Sequence, residues 1–141
     1  MLAVVDTNVL VSGLLTIHAP PARIVDQIFI GRIRCLYDDR ILNDYRQVLA
    51  RPKFSTVIAE QDREDLLDYL TRSGHAVLAE PLSGLSADLP DTDDLPFVEV
   101  AAAGRAELLI TGNVSHFDFF RDNSWGVVVC TPRAAYERLC I

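Results

Sequence analysis

The 141-residue chain is half hydrophobic and 23% charged, which predicts one domain over residues 1–141 with a buried core and excludes a disordered or low-complexity chain. Its net charge of −7 argues against a generic nucleic-acid binder, because phosphate backbones attract basic surfaces. No apolar run approaches the ~18 residues that span a bilayer, and MLAVVD meets Asp6 without a basic n-region, so the expectation is a cytoplasmic protein away from membranes.

MLAVVD is an apolar run closed by an acid and predicts a short buried strand ending at Asp6. TNVLVSGLL begins a first helix or turn, and the prolines of HAPPAR are placed to open the next helix. In ARIVDQIFIG, Ile24, Val25, Ile28 and Phe29 make one apolar face and Gly31 supplies the stop. IRCLY reads as a second strand. RILNDYRQVLARP is helical, with Ile41, Leu42, Tyr45, Val48 and Leu49 inward, and ends before Pro52. REDLLDYLTRSG is a helix stopping at Gly74, HAVLAEP a third strand and PLSGLSADLP a loop. LPFVEVAAAG is a helix, AELLIT and GVVVCTP are a fourth and fifth strand, and TPRAAYERL is a last helix with Thr131 as its N-cap. Strands alternating with helices predict a parallel sheet covered on both faces, whose ligands bind beyond the carboxyl ends of the strands.

Cys35, Cys130 and Cys140 are odd in number and lack a CxxC pairing, so neither a disulfide framework nor a thiolate zinc site is expected. Charge is unevenly spread. Residues 23–53 carry seven bases (Arg23, Arg32, Arg34, Arg40, Arg46, Arg51, Lys53) against four acids (Asp26, Asp38, Asp39, Asp44). The C-terminal half is acidic. That division suits a metal site that handles a phosphodiester without proving one.

Several acids fall where a ligand site would lie. Asp6 closes the first strand and serves either as a metal ligand or as the N-cap of the next helix. Asp44 lies within the apolar stripe between Ile41 and Val48, where a lone carboxylate needs a partner: a cation site, or a salt bridge to Arg40 or Arg51. In DTDD, Asp94 opens a helix whose dipole favours negative charge, Asp93 is its neighbour and Asp91 reads as a loop residue. Glu99, inside VEVAAA, reaches the same site from deeper in or pairs elsewhere. TGNVSHF emerges at the same sheet edge, so Thr111 and Asn113 can add neutral oxygens, while His116 is either structural or a ligand. Converging carboxylates repel without a cation, and hard oxygen ligands suit Mg²⁺ or Mn²⁺.

VVDTNVLVSGLL, NDYRQVLARPKF and DTDDLPFVEVAAAGRAELLITGN with the HF beyond it resemble, in order and spacing, successive motifs of the PIN-domain ribonucleases. The branch most similar comprises the VapC-like toxin components of toxin–antitoxin systems. The resemblance implies a three-layer α/β/α sandwich with a central, mainly parallel sheet, and a Mg²⁺- or Mn²⁺-dependent endoribonuclease. It assigns the catalytic and metal-binding acids to Asp6, Asp44 and Asp94, with Asp93 as a further candidate and Asn8 and Asn113 in support, beside the Thr111 oxygen read above. Asn113 stands where the family often has an Asp, which removes a charge from a second metal position. The implied reaction is in-line attack of activated water on an RNA phosphodiester, with Arg46, Arg51 and Lys53 as RNA contacts. The implied partners are RNA, a small cognate antitoxin and a second copy of the chain.

Other readings are weaker. A haloacid-dehalogenase-type phosphatase wants an Asp at position 8, where Asn stands, and a Lys near the phosphate, whereas the single Lys is Lys53. A dinucleotide binder lacks its Gly-rich first turn. The serious alternatives are a catalytically weak PIN domain that binds RNA or a protein partner, and an RNA-processing nuclease outside any toxin–antitoxin pair.

Overall fold

A computed structural model describes residues 1–82, 91–121 and 125–139. Five strands, β1 (Leu2–Val5), β2 (Arg34–Tyr37), β3 (His75–Ala76), β4 (Leu108–Ile110) and β5 (Val128–Cys130), form one sheet in the order β3-β2-β1-β4-β5. Every pairing is parallel. The expectation of a mainly parallel sheet is met in full.

The central strands are buried on both faces, which explains why they read as continuous apolar runs rather than alternations: Ala3, Val4, Val5, Leu108, Leu109 and Ile110 are all at most 1% exposed. Helices α1 (Thr7–Leu15), α2 (Pro20–Phe29), α3 (Asp39–Leu49) and α5 (Glu60–Ser73) follow the predicted segments. So do α6 (Leu95–Ala103) and α8 (Pro132–Leu139), the latter capped by Thr131, whose hydroxyl accepts the Ala134 N–H at 3.2 Å. Helix α2 packs on α5 and α8, while α6 lies over β1, β2 and β4 with α3 beside it. The sheet is thus the middle of three layers.

The differences have local causes. The third strand shrinks to His75–Ala76, both exposed at the sheet edge, although the Val77 N–H still reaches the Tyr37 carbonyl at 2.8 Å. Pro52, which ends α3, also opens a further four-residue helix, α4 (Pro52–Ser55), too short to show a period. The polar stretch after β4 folds into a 3-10 turn (Val114–Phe117) and a short α7 (Asp118–Arg121). Most of the predicted PLSGLSADLP loop, residues 83–90, and Cys140 lie outside the described residues. No helix among the described residues is long and apolar enough to cross a membrane.

Candidate functional site

The strand order reverses direction between β1 and β4, since the chain fills one side of β1 before crossing to the other. Open parallel sheets bind ligands at that switch point, beyond the carboxyl ends of the strands. Asp6 is the first residue past β1 and Thr111 the first past β4. The Asp6 N–H donates to the Ile110 carbonyl at 2.9 Å, which fixes Asp6 against the neighbouring strand. Thr111, fully buried, donates its hydroxyl to Asp6 Oδ2 at 2.8 Å and accepts the Asn113 N–H at 3.0 Å. Asp6 occupies the N-cap position of α1, but its side chain makes no capping hydrogen bond. The capping alternative is therefore not the one adopted.

Asp44 reaches the same edge from α3. Its Oδ2 accepts the Thr7 hydroxyl, and neither Arg40 nor Arg51 pairs with it among the described residues. The next residue, Tyr45, is fully buried, donates its hydroxyl to the Val5 carbonyl at 2.5 Å, and packs its ring 6.4 Å from that of Phe97 on α6. One aromatic side chain thereby ties the segment bearing Asp44 to the end of β1 and to the helix that follows Asp94.

Asp94 sits where predicted, at the last position of a 3-10 turn (Thr92–Asp94) that runs into α6, with Pro96 in the first helical turn. Asp91 caps that turn by accepting the Asp93 N–H at 2.9 Å, so it has the structural role read for it. Asp93 is exposed beside Asp94. His116 Nδ1 lies 3.8 Å from Asp94 Oδ2.

Asp6 feels the charge of Asp44, and Asp94 feels that of Asp6. Burial raises the Asp6 pKa and Asp44 adds to the rise, against the Thr111 hydroxyl, the Thr7 N–H and His116, which lower it. Burial likewise lifts Asp94, to about 6, helped by the charges of Asp6, Asp91 and Asp93 and opposed by His116. Among the described residues no Arg or Lys forms an ion pair with Asp6, Asp44 or Asp94. One buried and two half-buried acids, with His116 beside Asp94 and no Arg or Lys paired to them, make a charge pattern that a divalent cation would relieve.

Of the two options open for Glu99, the structure adopts the second. Glu99 does not join the acids: its Oε1 takes Arg40 Nη1 at 2.7 Å and its Oε2 takes the Leu82 N–H at 2.9 Å, a pairing its 3% exposure demands. Arg46, two residues from Asp44, projects some 200° round α3 from it. It lines a cleft with Glu60, Arg63 and Glu64 against α5, on the opposite flank from the acids. Arg51 and Lys53 lie past the end of α3, roughly 10 Å along its axis from Asp44, and Lys53 rests over the Phe54 ring. Asn8 is exposed in the first turn of α1, and Asn113 is exposed beyond β4. Thr7 and Tyr45 are contributors that sequence reading missed. The signal for Thr7 was its position, directly after a strand-ending acid.

The donor chemistry fits Mg²⁺ or Mn²⁺: all-oxygen, carboxylate-rich and short of positive charge. Among the described residues no three acidic, histidine or cysteine side chains are gathered closely enough to enclose an ion by themselves. Mg²⁺ does not require such a cage, because it keeps several waters and takes one or two carboxylates together with substrate phosphate oxygens.

A PIN domain family model matches residues 3–115, which hold Asp6, Asp44, Asp94 and Asn113. An uncharacterized protein of Methanocaldococcus jannaschii is 31% identical over 111 residues, covering 78% of this chain and 69% of its own length. No solved structure is significantly similar to the chain. The match over most of the chain, on a five-stranded parallel sheet with its acids at the switch point, shows that the protein belongs to the PIN domain family.

Proposed function

We propose that the protein is a Mg²⁺- or Mn²⁺-dependent endoribonuclease, acting as the toxin of a toxin–antitoxin pair. The observation that carries the nuclease reading is the meeting of Asp6, Asp44 and Asp94, from three separate elements, at one sheet edge with no Arg or Lys paired to them among the described residues. PIN domains are generally nucleases that use divalent metals, which supports the same reading.

Asp6, Asp44 and Asp94 would hold the ion. When bound, it supplies positive charge against a phosphate oxygen and lowers the pKa of water. The chain's own residues orient the ligands. Thr111 fixes one oxygen of Asp6 and Thr7 one oxygen of Asp44, leaving each carboxylate a second oxygen to offer. Tyr45 holds the end of β1 against α3, so both ligands keep their relative position. Asn113 adds an uncharged oxygen where the wider pattern often adds a carboxylate, which limits negative charge at a second ion position.

The toxin assignment rests on the resemblance of the four motifs to VapC-like chains. It carries with it a small antitoxin covering the acidic edge, and a second copy of this chain as partner. A second reading, an RNA- or partner-binding PIN domain of weak activity, is favoured by Asn113. Incubating the protein with structured RNAs in Mn²⁺ or EDTA separates the two. Cleavage that needs Mn²⁺ and is lost in Asp6→Asn supports the nuclease, and equal cleavage by both proteins refutes it. Growth arrest on expression, relieved by Asp6→Asn, tests the toxin role.

A further inference from the structure

A cavity of about 490 Å³ opens beyond the ends of β2 and β3, on the same sheet edge as the acids. Its walls are Tyr37 and the first turn of α3 on one side and Ala76–Ala79 on the other. The β1–β2 register pairs Ala3 with Cys35, and carried forward it sets Asp38 beside Asp6. Strands lie about 4.8 Å apart, so the cavity begins one strand spacing from the candidate ion site, within the reach of a single nucleotide.

The charges of this cavity exclude a phosphate. Asp38 and Asp39 both line it, and Arg40, the one cation among its described lining residues, is already held by Asp38 at 2.8 Å and by Glu99 at 2.7 Å. What remains is suited to a flat, uncharged, donor-bearing group. The guanidinium of Arg40 is tied along its edge by the two carboxylates while its side chain stays 45% exposed, which leaves a planar face open for stacking. Val77, Leu78 and Ala79 give an apolar wall, and Leu78 is 95% exposed among the described residues. The Asp39 carboxylate, exposed and without a hydrogen bond or ion pair among the described residues, offers two acceptor oxygens.

We infer that this cavity is a base subsite, receiving an unpaired nucleobase of the RNA next to the scissile phosphate. The inference rests on the nuclease reading above. Unpaired bases are recognised by stacking on guanidinium planes and by hydrogen bonds to their Watson–Crick edges. Guanine is the base that fits Asp39, because its N1–H and N2–H donors lie side by side and match the two oxygens of a carboxylate. The acids thus have two separate tasks on one edge: Asp6, Asp44 and Asp94 face the phosphate, and Asp39 reads the base.

The test uses short oligouridine RNAs carrying one guanosine, adenosine or cytidine, with the full chain and its Asp39→Ala and Leu78→Glu variants. Both changes are at exposed positions outside the candidate ion site. Cut positions are mapped in Mn²⁺, and binding is read by fluorescence anisotropy on the Asp6→Asn background. The expected result is cleavage at a fixed offset from guanosine, with both variants losing about tenfold of that preference and keeping the Mn²⁺-induced thermal shift of the parent. Equal cleavage of all three sequences, or preference retained in both variants, overturns the subsite while the nuclease stands. Guanosine-dependent binding lost in Asp39→Ala, with no cleavage by the parent chain, overturns the nuclease reading and upholds the subsite. Binding that ignores base identity, with no cleavage, overturns both.

Discussion

Replacing Asp94 with Asn should stabilise the metal-free protein at neutral pH and remove its response to metal. The Asp94 carboxyl has a folded pKa of about 6 against an ordinary value of 3.8, with burial the main cause and the charge of Asp6 next. A raised carboxyl pKa means that folding favours the neutral form. Its contribution is therefore complete below pH 3.8 and is lost as pH rises through about 6. Each unit is about 1.4 kcal/mol, so the full shift sets a ceiling of about 3 kcal/mol; screening at a partly solvated edge reduces it to about 1–2 kcal/mol. Asn carries no charge at any pH and escapes that loss, but it forfeits about 0.5 kcal/mol of favourable interaction with the α6 dipole. No capping bond is lost, because the Asp94 side chain makes none. The net gain is about 1 kcal/mol, or roughly 3 °C in Tm for a chain of this size. Thermal melts in EDTA should show Asp94→Asn above the parent at pH 7.5 and level with it or below at pH 4.5. In Mn²⁺ at pH 7.5 the parent should rise and the variant should not. A variant less stable than the parent at pH 7.5 in EDTA, with an undiminished Mn²⁺ shift, would refute both the repulsion and the ligand role.

Asn113→Asp should restore a carboxylate at the fourth position and raise Mn²⁺-dependent cleavage several-fold, by about 1 kcal/mol of transition-state charge stabilisation; rates measured across a Mn²⁺ titration check it, and unchanged rates would count against a second ion position. Arg40→Met leaves the Glu99 carboxylate buried with, among the described residues, the Leu82 N–H alone, and should cost about 3 kcal/mol in urea melts. Adding Glu99→Gln to that variant should recover most of the loss, since the charge left without a cation is then gone. Gly74→Ala would bring a Cβ to 2.3 Å from the Cys35 carbonyl oxygen and 2.6 Å from that of Leu70, and should destabilise by about 2 kcal/mol as α5 and β2 are pushed apart.

The fold was legible because it is written in periodicities. Strands buried on both faces give uninterrupted runs such as AVV and LLI, and α3 shows its inward face in five positions of its own sequence. The short elements were not legible, since α4 and α7 have four residues each and complete barely one turn. At the site, Asp6 and Asp94 could be placed from the ends of their elements, which are local properties. Thr7 to Asp44, Thr111 to Asp6 and Tyr45 to Val5 could not, because each joins residues 37 or more positions apart, and only the strand order decides which ends meet. Glu99 shows the converse. Its place on α6 left two options open, and the choice fell to an arginine 59 residues away on another helix.

The basic stretch of residues 23–53 carries a related lesson about reading charge along a chain. By sequence it suits a metal site that handles a phosphodiester, set beside an acidic half, without proving one. In three dimensions Arg40 is spent on Asp38 and Glu99, Arg46 faces the far flank of α3, and Arg23 lies over the Tyr136 ring. Arg40 reaches the edge where the acids meet with its charge already committed, and neither Arg46 nor Arg23 is delivered there. A polyanion approaching that edge therefore finds carboxylates without the neutralising arginines that a phosphate-binding surface ordinarily supplies. Attraction must come from a bound cation, and RNA affinity should rise with divalent metal instead of falling with it as monovalent counterion competition alone would dictate. The acids that make the edge hostile to RNA without metal are the ones that would make metal the condition for binding.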